Sequence, residues 1–168
     1  MNSAAGATGI AVYSRTGHSK RVAERLAEAL DATVIDIDAP AYGAGPVGYV
    51  RAAIDSLRQG DAKLKDGLPS LSGFQRVILC GPVWTSYPAT PIRTVLRGRS
   101  DLPRSVSLFL TSGAHSPAEK AFKTAVRDLG HPLAAVASLP NGKAGSAEED
   151  RIVEEFLKDL ETIEHLPG

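Results

Sequence analysis

Five short apolar segments alternate with amphipathic segments along the sequence, and this order constrains the fold more than any other feature. The apolar segments lack polar alternation, so they predict strands that are covered on both faces of a sheet. Strands are expected at 9–14, 33–37, 76–81, 105–110 and 134–139, and helices at 18–30, 49–59, 89–98, 118–129 and 147–164. The pattern predicts a doubly wound, three-layer α/β/α fold with a five-stranded parallel sheet in the order 2-1-3-4-5.

Length, charge and cysteine content limit the number of domains and the kinds of partner that the protein can have. The 168 residues suffice for one domain, which we expect at 9–165 after a loose N-terminal tail at 1–8. The formal net charge of zero and the lack of a long apolar run argue against nucleic-acid and membrane partners. A single cysteine excludes an intrachain disulfide, so a cytoplasmic location is expected. The four histidines lack metal-ligand spacing, so no metal site is predicted.

The segment 14–19 joins the first predicted strand directly to the first predicted helix. A helix N-terminus carries free N–H groups and about half a positive charge, so it attracts anions. Hydroxyls at Ser14, Thr16 and Ser19 add hydrogen-bond donors, and Gly17 lets a ligand approach the backbone. The segment therefore predicts a phosphate-binding loop, although the same hydroxyls also serve as ordinary helix caps.

Two further loops, 82–88 and 111–117, follow the third and fourth predicted strands. These strands neighbour the first in the predicted order, so the three loops should converge. The loop 82–88 contains the only tryptophan, Trp84, and also Tyr87. Either ring could stack on a planar ligand, and the alternative for Trp84 is a place in the core. Together the loops predict a ligand with a phosphate at one end and a planar ring at the other, which FMN fits best.

The residues predicted to contact this cofactor come from all three loops. They are Ser14, Arg15, Thr16, Gly17, His18, Ser19, Pro82, Val83, Trp84, Thr85, Tyr87, Thr111, Ser112, Gly113 and His115. His115 is also the candidate catalytic residue, because an imidazole with a pKa near 6.5 suits proton exchange; the alternative is a surface histidine.

The sequence resembles the flavodoxin-like family in its short-chain form. Ser14-Arg15-Thr16-Gly17-His18-Ser19 is similar to that family's phosphate loop, hydroxyl-x-Thr-Gly-x-hydroxyl. Gly81-Pro82-Val83-Trp84, followed by Pro88, Pro91, Arg93 and Leu96, resembles its third-strand signature in small bacterial members, and Thr111-Ser112-Gly113 its third flavin loop. The resemblance implies non-covalent FMN and redox chemistry. His18 departs from the usual Asn or Thr of that loop.

Two functions remain open for such a protein. The first is an NAD(P)H-dependent reductase of quinones or similar small acceptors. The second is a non-enzymatic flavodoxin that transfers electrons between protein partners. The zero net charge favours the reductase, because carriers in the family are typically acidic and use a strong complementary field. A phosphoacceptor receiver domain, which shares the topology, is disfavoured because Gly81-Pro82 and Ser14-Arg15 replace the acids that it needs.

Overall fold

Five parallel strands form the centre of the molecule in a computed structural model, which describes residues 7–43, 45–113 and 117–164. They are β1 (Thr8–Val12), β2 (Thr33–Asp36), β3 (Arg76–Trp84), β5 (Ser105–Ser112) and β6 (Val136–Pro140), and a short strand, β4 (Tyr87–Pro88), pairs antiparallel with β3. The parallel strands are ordered β2-β1-β3-β5-β6. Counting these strands alone, this is the predicted order 2-1-3-4-5, so the predicted fold is confirmed.

Helices cover both faces of the sheet. They are α1 (His18–Leu30), α2 (Pro46–Arg58), α3 (Thr90–Arg97), α4 (Glu119–Leu129) and α5 (Ala147–Glu164). Successive strand residues point to opposite faces: Ile10 packs with α1 and α5, whereas Ala11 packs with α2, α3 and α4. None of the helices in the described part of the chain is long and apolar enough to cross a membrane.

Several element boundaries differ from those expected. β1 begins at Thr8, which is buried, so the expected tail at 1–8 extends one residue too far. The segment 82–88 is a hairpin rather than an open loop, because β3 continues to Trp84 and returns as β4. Its turn residues, Thr85 and Ser86, have φ values of 48° and 71°. Positive φ at both central positions is the pattern of a type I′ turn, which usually contains Asn and Gly. The sequence therefore carries no ordinary signal for this turn.

Helix α2 contacts the protein through small residues. Gly48, Ala52 and Ser56 are buried, whereas Val50 and Leu57 are exposed. A Cβ on Gly48 would collide with the Gly43 carbonyl, so glycine is required for this close approach. The larger apolar residues of α2, which share one side of the predicted helix, therefore face away from the core.

Helices α1 and α5 are joined by ionic contacts at the buried Glu149. The fully buried carboxylate accepts hydrogen bonds from Arg21 at 2.7 and 2.8 Å, from Arg25 at 2.9 Å and from the Gly145 N–H at 2.7 Å. Hydrogen bonding to the Arg21 guanidinium is the largest cause that lowers the pKa of Glu149 to about 2. Glu149 therefore stays ionised and holds α5 against α1, the helix that follows segment 14–19.

Candidate functional site

A cavity of about 160 Å³ opens at the carboxyl ends of the central strands, where ligands bind in sheets of this topology. It is lined by parts of all three predicted loops and by one further residue: Ser14, Arg15, Thr16, Ser19, Pro82, Val83, Trp84, Thr111, Gly113 and Asn141. The three loops therefore converge, as the strand order predicts. The volume is below the 300 Å³ or more that is usual for a whole cofactor, so it suits the polar end of a larger ligand.

The segment 14–19 forms the start of α1 as expected. Ser14 Oγ accepts a hydrogen bond from the Gly17 N–H at 3.0 Å, and Gly17 has a φ of 93° as the residue before the helix. Ser19 Oγ lies 2.7 Å from Thr111 Oγ1, and both hydroxyls are buried. That hydrogen bond joins the first loop to the end of β5. The first turn of α1 is thereby held with its N–H groups at the cavity.

Arg15 supplies the positive charge of the cavity. Its guanidinium donates to the Gly45 carbonyl at 3.1 Å and lies 5.5 Å from the centre of the Tyr49 ring. Its Nε is buried and has no hydrogen-bond partner among the described residues. The side chain therefore links segment 14–19 to the start of α2 and retains an unused donor.

Trp84 is held edge-on between two tyrosines. The centre of its ring lies 5.5 Å from that of Tyr13 and 5.2 Å from that of Tyr42, with interplanar angles of 89° and 71°. Such edge-to-face pairs fix the orientation of the indole. Trp84 is half-buried, packs against the core and also lines the cavity, so the two roles considered for it are not exclusive.

The hairpin that carries Trp84 is attached to α2 through Ser56. The buried Ser56 hydroxyl donates to the Trp84 carbonyl at 2.8 Å and lies 2.7 Å from Thr85 Oγ1. Because its one proton goes to the carbonyl, Ser56 accepts the hydrogen bond from Thr85. These contacts cross the turn in which Thr85 and Ser86 have positive φ. The small residues of α2 thus position the aromatic wall of the cavity.

The two tyrosines beside Trp84 remain neutral. Burial raises the pKa of Tyr13 to about 12, and burial followed by a hydrogen bond to Asp55 raises that of Tyr42. Tyr42 Oη donates to Asp55 Oδ2 at 2.7 Å. Neither phenol therefore adds a negative charge behind Trp84 at neutral pH.

Five of the predicted contact residues do not line the cavity: Gly17, His18, Thr85, Tyr87 and Ser112. Gly17 precedes α1 and His18 begins it, Thr85 bonds to Ser56, and Ser112 faces the neighbouring groove beside β6. His115 lies outside the described residues, so its proposed roles stay predictions.

Tyr87 has two cations against its ring instead of a place in the cavity. Arg93 Cζ and Lys120 Nζ lie 5.4 and 4.6 Å from the ring centre. Arg93 is itself buried and forms an ion pair with Asp128 at 2.7 Å. These contacts place the Tyr87 ring against Arg93 of α3 and Lys120 of α4, so Trp84 is the aromatic residue of this hairpin that the structure brings to the cavity.

Asn141 is a cavity residue that the sequence analysis missed. It directly follows β6, and its Oδ1 is buried without a hydrogen-bond partner among the described residues. A buried, unpaired amide oxygen calls for a donor, which a ligand can supply. The signal that could have found it is its position after the last parallel strand, at the same edge of the sheet as the three loops.

The cavity has a positive rather than a negative character. Its described lining contains one arginine, several hydroxyls, the first turn of α1 and no aspartate or glutamate. Hydroxyls, N–H groups and a guanidinium are donors to phosphate oxygens. The lining therefore fits an anionic group that carries many acceptors.

Similar solved structures share this architecture. A flavoprotein from Lactobacillus acidophilus, crystallised in complex with FMN, matches with a TM-score of 0.68 at 21% identity, over 90% of this chain and 99% of its own. Putative flavoproteins from Bacteroides uniformis and Bacteroides eggerthii match with TM-scores of 0.72 and 0.71 at 24% and 17% identity. The matches cover 92% and 95% of this chain, respectively, and 99% of each of those chains. The chain has a flavodoxin-like fold.

Comparison with family models and with curated proteins gave no match. At these identities, similarity of structure establishes the fold alone.

Proposed function

We propose that this flavodoxin-like protein binds FMN non-covalently and acts as an NAD(P)H-dependent reductase of quinones or similar small acceptors. The observation that carries the proposal is the cavity lining, in which hydroxyls, an arginine and the first turn of α1 converge and no carboxylate occurs among the described residues. The FMN complex of the structurally similar Lactobacillus acidophilus flavoprotein supports the choice of ligand.

The phosphate of FMN would be held at segment 14–19. Ser14, Thr16 and the first-turn N–H groups of α1 would donate to its oxygens, because these groups line the cavity at the positive end of the helix. Arg15 adds charge and an unpaired Nε–H. Such charge-assisted hydrogen bonds are about twice as strong as neutral ones, so the phosphate supplies much of the affinity.

The rest of the cofactor would contact Trp84 and Asn141. FMN carries hydroxyl and ring N–H donors, and Asn141 Oδ1 is a buried acceptor without a partner among the described residues. Pro82 and Val83 add apolar surface beside Trp84. Because the cavity is small, the ring would lie at its mouth, where a donor and an acceptor molecule can reach it.

When bound, FMN supplies a ring that accepts and returns electrons. The lining favours full reduction, because a carboxylate beside the ring would oppose added electrons. One unit charge at about 4–8 Å is worth roughly 2–4 kcal/mol at an effective dielectric constant near 20. The zero net charge also suits small substrates better than docking through a strong field.

An absorbance spectrum followed by a turnover assay tests the proposal. The protein is mixed with FMN, desalted and scanned, and NADPH or NADH oxidation is then followed with benzoquinone. We expect a retained flavin spectrum and quinone-dependent oxidation of at least one nicotinamide. Failure to retain FMN would contradict the cofactor assignment. Retention of FMN without nicotinamide oxidation would favour the alternative function, a flavodoxin that transfers electrons between protein partners.

The same assay tests His115, which stays the candidate catalytic residue. If its imidazole exchanges protons with the substrate, His115→Gln should lower turnover and alter its pH dependence, with a smaller effect on FMN binding. Equal turnover and pH profiles in the two proteins would show that His115 is not catalytic.

A further inference from the structure

Helix α2 presents a continuous apolar stripe to solvent. Val47, Val50, Ile54 and Leu57 are 82%, 54%, 42% and 64% exposed. Their spacing of three, four and three residues places them on one side of the helix, as in the seam of a coiled coil. Ordinary surface helices bury such a stripe in their own core, so its exposure requires an explanation.

The stripe cannot turn inwards within one molecule. The opposite side of α2 is packed through Gly48, Ala52 and Ser56, all of which are buried. At Gly48 even a Cβ would collide with the Gly43 carbonyl. Rotating the helix would force larger side chains into this close contact and would break the Ser56 bond to Trp84. The outward orientation is therefore fixed by the packing beneath the helix.

We propose that α2 is the interface of a homodimer, in which the stripe packs antiparallel against the stripe of a second copy. A two-fold axis between Val50 and Ile54 would place Val50 against Ile54 of the second copy and Val47 against Leu57 of the second copy. Each contact then occurs twice, which is the requirement of an interface with two-fold symmetry. Because the spacing of three, four and three residues is symmetric about its centre, the stripe is self-complementary.

The exposed area matches the need of a dimer. With exposed fractions of 42–82%, the four residues form an apolar patch on the order of a few hundred Å², the size of the largest patch on a typical monomer, and such patches mark interaction sites. A standard interface buries about 800 Å² from each partner, of which a little over half is non-polar. The stripe supplies that apolar part, and Arg51 and Arg58, which lie beside it, are of a residue type enriched in interfaces.

Charge does not oppose the association. The net charge of the chain is zero, so two copies carry no overall repulsion to overcome. Beside the stripe, Arg51 Nε lies 3.8 Å from Asp55 Oδ2 on the same helix, so the carboxylate offsets the charge of the guanidinium. On α2 itself, Arg51 and Arg58 stand against Asp55, which is little charge for a partner that docks through a strong field, so a second copy is favoured as the occupant.

The interface would also adjoin the cavity. The start of α2 accepts the Arg15 hydrogen bond at Gly45, and its packed side holds the Trp84 hairpin through Ser56. Immobilising α2 between two molecules would therefore steady the aromatic wall. Dimerisation would steady the Trp84 hairpin, but it does not itself depend on which ligand the cavity takes.

Sedimentation velocity of the full chain over a dilution series tests the proposal. We expect the wild type to dimerise with a dissociation constant at or below about 10 μM. The double variant Val50→Glu/Ile54→Glu should raise that constant at least 100-fold, because charges would be buried at the centre of the seam. Val126→Glu on α4 is the matched control, since Val126 is 37% exposed and lies outside the stripe. It should dimerise like the wild type.

Cysteine cross-linking tests the geometry without relying on a disruptive change. Cys80 is the only cysteine and is buried, so introduced thiols react alone. A mixture of Val50→Cys and Ile54→Cys proteins should form mixed disulfide dimers, whereas Val126→Cys should not. A monomeric wild type at about 100 μM would overturn the proposal and assign the stripe to another occupant. A dimer that survives the double glutamate variant, or that fails to cross-link at α2, would overturn it equally.

Discussion

On the α1 side of the cavity, segment 14–19 leads into a helix whose Arg21 and Arg25 pair with the buried Glu149 of α5, and Ser19 binds Thr111 across the sheet. On the α2 side, Trp84 is carried by a turn with two positive-φ residues and is held by one serine of a helix whose apolar stripe faces solvent. The first side is fixed by contacts within the monomer. The second depends on long-range contacts of the Trp84 hairpin with Ser56 and two tyrosines, and its helix leaves an apolar stripe uncovered within the monomer.

Removing the buried carboxylate of Glu149 should produce the largest effect. Glu149→Gln removes the negative charge that Arg21 and Arg25 share and should cost about 2–3 kcal/mol of unfolding free energy, because hydrogen bonds to a charged group are lost while the guanidinium groups, 43% and 36% exposed, stay in contact with water. Chemical denaturation measures the loss. Glu155→Gln is the control, because its pair with Arg151 is exposed and should cost less than about 1 kcal/mol. Equal losses in the two variants would show that the burial of Glu149 does not strengthen its ionic contacts.

The same residue predicts how stability depends on acid. Its pKa is lowered from 4.5 to about 2 in the folded state, so its contribution is complete above pH 4.5 and is lost as the pH falls towards 2. The shift corresponds to about 3 kcal/mol. Denaturation midpoints measured between pH 6 and 2.5 should fall less steeply for Glu149→Gln than for the wild type. Parallel slopes would show that another group controls acid sensitivity.

Loss of a hydroxyl on the α1 side should weaken FMN binding by about 1–3 kcal/mol, because a hydrogen bond to a charged group is lost. Thr16→Val removes the hydroxyl and nearly keeps the shape of the side chain, whereas Thr16→Ser keeps the hydroxyl. Titration calorimetry should show weaker FMN binding for the valine variant alone. Similar losses in both variants would indicate that the methyl group, rather than the hydroxyl, matters.

On the α2 side, Ser56→Ala removes the hydrogen bond from Ser56 to the Trp84 carbonyl and the hydrogen bond between Ser56 and the Thr85 hydroxyl. Leaving the Trp84 carbonyl without its donor should cost about 1–2 kcal/mol of unfolding free energy. The emission of Trp84, the only tryptophan, should also change, whereas Ser70→Ala at an exposed position should alter neither quantity. Unchanged emission in Ser56→Ala would mean that the edge-on tyrosines alone hold the indole.

The smallest expected effect has the opposite sign. Ser86 has a φ of 71°, which is unfavourable for a residue with a Cβ and ordinary for glycine. Ser86→Gly should raise the unfolding free energy by about 0.5–1 kcal/mol, as measured by urea denaturation. Ser70→Gly, at an exposed position without positive φ, should not stabilise. A destabilised Ser86→Gly protein would show that the turn is not strained.

The sequence predicted the α1 side better than the α2 side for physical reasons. Segment 14–19 is local, so a strand end, hydroxyls and a helix start identify it without knowledge of distant contacts. The Thr85–Ser86 turn lacks the usual Asn-Gly signal, and its hydrogen bonds to Ser56 come from 29 and 28 residues earlier in the chain. These long-range contacts were not visible in the sequence pattern.

Periodicity has a second limit that α2 and Asn141 illustrate. The spacing of Val50, Ile54 and Leu57 indicates a helix with an apolar side, but it does not say whether that side faces the core, and here it faces solvent. Asn141 is one polar residue after a strand, and only the burial of its Oδ1 beside the cavity distinguishes it from other loop residues.

Paired titrations with FMN and riboflavin test whether the α1 side holds a phosphate. Riboflavin keeps the ring and the ribityl chain and lacks only the phosphate, so the affinity difference reports on segment 14–19. Several charge-assisted hydrogen bonds are at stake, so FMN should bind at least about 100-fold more tightly. Equal affinities for FMN and riboflavin would show that segment 14–19 does not hold the phosphate.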